Sequence, residues 1–164
     1  MAKGHANAAT SAAPDHAVFS VFIAATLAAT SPFLPPPWHA TSSTDPAEYA
    51  RYERTEPDGT TSIVIAARLH CTECQPAVTA SFVVNHLAAY PGVIAKVDES
   101  TMCGQKAKRL LATGIARPDM PYRRNSVVYF FRQGEMLYNF SYTFTSPAPL
   151  AGAEAALSAL CPTY

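Results

Sequence analysis

The residues with the clearest chemical potential are four cysteines, Cys71, Cys74, Cys103 and Cys161. The first two sit in Cys71-Thr72-Glu73-Cys74, a C-x-x-C pair whose thiols can close on each other or exchange with another disulfide. Exchange needs an accessible thiolate of low pKa, and a helix starting just after the first cysteine supplies one. Gln75-Pro76 is able to open such a helix, because proline is tolerated in a first helical turn, so Cys71 is the candidate nucleophile. Glu73 works against it, since a negative charge between the thiols raises their pKa. The competing reading is a local structural disulfide at a loop. On this balance the pair is expected not to support catalytic exchange.

The remaining candidates are weaker. A metal site would have to combine His70 with Cys71 and Cys74, and structural zinc needs a second, ordered ligand pair that the sequence does not contain. No metal and no cofactor is therefore expected. His86 falls on the apolar stripe of a helical segment and is expected as a half-buried core histidine. Phosphate loops, nucleophile elbows and paired-carboxylate motifs are missing. Cys103 and Cys161 are either bridged or two buried thiols. A bridge suits an exported chain, closing a loop of on the order of 60 residues and stabilising by about 4 kcal/mol on the chain-entropy estimate.

These residues must be held by a scaffold, and Ser126–Thr145 dominates it. Val127–Phe131 is an unbroken β-branched and aromatic run, as expected of a strand buried on both faces. Tyr138, Phe140, Tyr142 and Phe144 then alternate with Asn139, Ser141, Thr143 and Thr145, and the aromatic set is expected to face the helices. Arg132-Gln133-Gly134-Glu135 joins the two as a hairpin turn. Upstream, Trp38–Ser43 and Glu48–Arg54 read as edge strands, Pro57-Asp58-Gly59 as a turn and Thr61–Leu69 as a central strand. Val78, Phe82, Val83, His86, Leu87 and Tyr90 recur at helical spacing, predicting an amphipathic helix over Pro76–Ala89 that ends at Pro91-Gly92. Val93–Val97 reads as a strand and Asp98-Glu99-Ser100 as a turn. Thr101–Ile115 fits either strand or helix. Arg117–Asn125 is a polar loop containing Pro118 and Pro121. Leu150–Leu160 is an alanine-rich helix. The element count is α+β: a central, mostly antiparallel sheet flanked by helices.

Composition narrows the partners. The 164 residues suit one domain, with 49% hydrophobic and 15% charged residues. Lys+Arg and Asp+Glu both number 12, so no nucleic-acid partner is expected. Ala17–Ala29 is an uncharged apolar run stopped by Pro32 and Pro35-Pro36-Pro37. Its length suits a signal-peptide core better than a membrane span. Residues 1–34 are thus read as a signal peptide or N-terminal membrane anchor, with a buried helix as the remaining alternative, and residues 35–164 as a single domain. The location is secreted or periplasmic, with membrane contact only through an uncleaved N-terminal segment.

Pro37-Trp38, Thr101-Met102-Cys103-Gly104, the Val127–Tyr142 hairpin and Ala159-Leu160-Cys161-Pro162 give residues 37–163 a further likeness. In element order this stretch resembles small exported bacterial proteins of the PsbP-like (Mog/PsbP-type) fold. The resemblance implies a Cys103–Cys161 disulfide and a binding or scaffolding role without catalysis. The partner would be a protein or an envelope component. The alternative is a thioredoxin-like α/β oxidoreductase using Cys71 and Cys74, because Val93–Asp98 and the hairpin at Gly134-Glu135 resemble later pieces of that domain. Against it, no aromatic residue precedes Cys71, and Pro121 lies too far ahead of the Gly134 turn. The two readings part at residues 105–113, where the first needs an antiparallel strand and the second a crossover helix. A small-ligand carrier with a pocket between sheet and helix is a third possibility.

Overall fold

The computed structural model describes residues 34–116, 123–145 and 150–162. The N-terminal apolar run, Pro118, Pro121 and the 146–149 link lie outside them. In chain order the elements are β1 (His39–Ala40), β2 (Glu48–Thr55), β3 (Thr61–His70), α1 (Pro76–Ala88), β4 (Ile94–Met102), β5 (Gln105–Ile115), β6 (Arg124–Gln133), β7 (Met136–Phe144) and α2 (Leu150–Ser158). The strands form one seven-stranded sheet in the order β1-β2-β3-β7-β6-β5-β4. Neighbours pair antiparallel throughout. This is an α+β architecture.

Residues 105–113 belong to β5, paired with β4 on one side and β6 on the other. Lys106–Leu111 has no decisive local preference, and two flanking strands settle its conformation. The thioredoxin-like alternative, which needed a helix here, is corrected by this strand. The expected turn at Asp98-Glu99-Ser100 is also corrected, since β4 runs straight through it and reverses at Cys103-Gly104. A two-residue reversal of type I′ needs φ > 0 at both central positions, and Cys103 (φ 53°) with Gly104 (φ 72°) provides them. Asp98 and Glu99 stay in the strand because it is an edge, where charged side chains reach water.

The two faces of the sheet are packed differently. On one, Tyr129, Phe131, Tyr138, Phe140, Tyr142 and Phe144 form a buried aromatic layer with Val64 and Ala66. Phe131 stacks on Tyr138 at 5.0 Å between centroids and meets Phe140 edge-on at 5.1 Å. From α2 and the turn after it, Ala153, Ala156, Leu157 and Leu160 close this layer, and Leu34 is buried in it too. The β7 aromatics therefore face α2, as their period of two requires, but not α1.

Helix α1 lies across the opposite face, over β4, β5 and β6. It packs Ala80, Val83, Val84 and Leu87 on Leu110, Ala112 and Phe130. The expected apolar stripe is half right: Val83 and Leu87 point in, whereas Val78 and Phe82 are 64% and 73% exposed. His86 is exposed beside Tyr90, not in the core. The helix PAVTASFVVNHLA has no Asp, Glu, Lys or Arg to mark a solvent side, so spacing alone could not choose its face. The contact is made at Ala80, whose small side chain lets the helix backbone approach the sheet. Beyond the helix, Gly114 (φ 77°) is closed against the chain, where an added Cβ would stand 2.5 Å from the Gly92 carbonyl oxygen.

Candidate functional site

Both cysteine pairs are bonded. Cys103 joins Cys161 with 5.3 Å between Cα atoms, tying the β4–β5 turn to the chain just past α2 at the margin of the aromatic core. Cys71 joins Cys74 with 5.4 Å between Cα atoms, in the link from β3 to α1. Contacts between main chain and side chains hold that link against the β6–β7 turn. The Cys71 N–H donates to the Glu135 carbonyl at 2.9 Å, and Arg132 Nη1 donates to the Thr72 carbonyl at 2.9 Å. The Cys74 N–H donates to Cys71 Sγ at 3.1 Å. His70, the third residue of the metal reading, pairs instead with Glu135 at 3.0 Å. No cluster of three or more His, Cys, Asp or Glu suited to a metal occurs among the described residues.

A polar network missed by sequence reasoning docks α2 on the sheet. Glu154 Oε1 accepts from Tyr129 OH at 2.8 Å and from Arg109 Nη1 at 2.9 Å. Arg109 also reaches Asp98 at 3.4 Å, and Lys96 pairs with Asp98 at 3.0 Å. Burial, reinforced by Glu154, pushes the Tyr129 phenol up to about 12. The available signal was a single acid in an alanine-rich helix. Its role is to satisfy a buried hydroxyl.

Among the described residues, the outer surface of α1 is the remaining candidate. The outward side of α1 presents Ala77, Val78, Ser81, Phe82 and Asn85, without a formal charge. Past its C-terminus, Tyr90 and Ile94 are also exposed, Ile94 by 72%. Among the described residues, two clefts flank the helix. One, of about 270 Å³, runs between Thr79 and strands β3, β6 and β7, lined by Ala67, Leu69, Phe130, Leu137 and Asn139. The other, of about 690 Å³, lies between Gln75–Ala77 and the β4–β5 hairpin, with Glu99, Lys106 and Lys108 around it. Both open to solvent and neither encloses a ligand as carrier pockets do. Helical spacing puts Val78 and Phe82 on the apolar stripe expected to face the core, whereas the structure turns both outward.

No protein-family model matches the chain, and no curated protein matches it. Among solved structures it is similar to LpqN of Mycobacterium tuberculosis, described as involved in cell envelope biogenesis. That likeness has 14% identity over 79% of this chain and 78% of the other, with a TM-score of 0.49. It is also similar to PA94 of Pseudomonas aeruginosa, a protein of unknown function described as a putative regulator. There the identity is 18% over 80% of this chain and 87% of the other, with a TM-score of 0.46. Likenesses at this level transfer neither protein's role to this chain.

Proposed function

We propose that the chain is an exported, non-catalytic binding domain of PsbP-like type that uses the outward face of α1 to engage a protein partner or envelope component. The observation that carries this reading is the exposure of Phe82 and Val78 on a helix without charged residues. Single exposed apolar residues are ordinary, but an i, i+4 pair on an uncharged helix surface is the kind of feature that association buries. Export is supported by two disulfides, which persist in oxidising compartments. It is also supported by the apolar run Ala17–Ala29, read as a signal peptide or anchor. Cys71 and Cys74 are then a structural clip on the β3–α1 link.

The test is photo-crosslinking from position 82 in cells that export the chain. The reading expects discrete adducts that disappear when Val78→Asp is added, and none from position 58 in the exposed β2–β3 turn. Equal labelling at positions 82 and 58 would contradict it.

A further inference from the structure

The two edges of the sheet are built unlike each other. β1 is only two residues long. β4 is nine residues long, pairs with β5 without a register shift, and contains no proline. Among the described residues nothing pairs with its other side. Proteins ordinarily blunt such an edge with a bulge, a proline or inward-pointing charge. β4 has the charges, but in an order that attracts its own copy.

We propose that β4 pairs antiparallel with β4 of a second copy of this chain, about a two-fold axis through Val97 and normal to the sheet. Such an axis keeps like faces together, so the register is set by which residue sits on it. With Val97 at the centre, Lys96 stands opposite the partner's Asp98, and Asp98 opposite the partner's Lys96. Shifting the centre one residue either way sets Lys96 against the partner's Lys96, or Asp98 against the partner's Asp98. Like charges directly opposite each other are destabilising, and opposite charges stabilise. Lys96 and Asp98 share the α2 face through their register partners Leu111 and Arg109. They already pair with each other at 3.0 Å, Asp98 also reaches Arg109 at 3.4 Å, and both are partly exposed, so pairing across the axis would join these groups of the two copies in one charge cluster. On the α1 face, Val97 is 36% exposed and would meet the partner's Val97. The pairing extends the sheet continuously and leaves Val78 and Phe82 outside the shared edge, so it is independent of the reading of α1.

The experiment combines light scattering with crosslinking on the full chain. Wild type should show twice the monomer mass. Val97→Cys should form an intermolecular disulfide, because residues facing across an antiparallel pair have Cβ atoms about 4.5–5.5 Å apart. Thr101→Cys, which is exposed on the same strand but far from its own copy, should not. Lys96→Asp should weaken association about tenfold, because it sets like charges against the partner's Asp98. Circular dichroism identifies any variant that fails to fold, and Val97→Cys keeps the test open in that case. A monomer at every concentration, or a dimer crosslinked from Thr101→Cys and not Val97→Cys, would overturn the proposal.

Discussion

The aromatic face of the sheet and the face under α1 are made of different material. The first stacks six aromatic side chains from β6 and β7 beneath α2, and Cys103–Cys161 pins its margin. The second packs Ala80, Leu110 and Ala112 with a single buried ring, Phe130, and turns a phenylalanine out to water. Large interlocked rings bury the most apolar area and fix a unique arrangement. Small residues allow close approach, and the helix's bulkiest side chain, Phe82, stays outside the contact. One face holds the fold together. The other leaves Val78 and Phe82 in solvent.

The sharpest way to break the contrast is at the centre of the aromatic layer. Phe140→Ala should cost about 3–5 kcal/mol, read from chemical denaturation, because the ring is fully buried between Phe131 and Tyr49. A loss below about 1 kcal/mol would mean the layer is not the core. Removing the disulfide with Cys103→Ser and Cys161→Ser should cost about 4 kcal/mol, since the bond closes a separation of 58 residues. Opening Cys71–Cys74, with a separation of 3, should cost clearly less. Equal losses would show that α1's anchor matters as much as α2's.

Smaller effects test how α2 is seated. Glu154→Ala leaves the buried Tyr129 hydroxyl without its acceptor and should cost about 1–3 kcal/mol. The same contact gives the protein an alkaline limit. The Tyr129 phenol titrates near 10 when unfolded and is pushed up to about 12 when folded, chiefly by burial. The folded state therefore holds the proton more tightly. Its contribution is present below about pH 10 and is lost as the pH rises toward about 12. The late step in phenolate absorbance that accompanies loss of ellipticity should be missing in Tyr129→Phe.

Much of the aromatic face was legible in the sequence, because period-two alternation over Tyr138–Phe144 leaves one way to bury four rings. The antiparallel α+β class followed from the same hairpin. The α1 face was less legible. A helix with no charge offers no solvent side to read, and Ala80 became the contact only because Leu110, Ala112 and Phe130 lie beneath it. β5 was ambiguous until two neighbouring strands enclosed it. The β4–β5 reversal was hidden because a cysteine, rather than a glycine or asparagine, takes the first positive φ. The Glu154 docking pair depends on residues 45 positions apart, which no local pattern shows.

The central claim is that Phe82, unlike Phe140, is held out of the core. Its most direct test is the unfolding free energy of Phe82→Asp. A charge placed on an exposed helix position should change stability by no more than about 0.5 kcal/mol. A loss of about 3 kcal/mol or more, comparable with Phe140→Ala, would show that Phe82 belongs to the packed interior and would contradict the account.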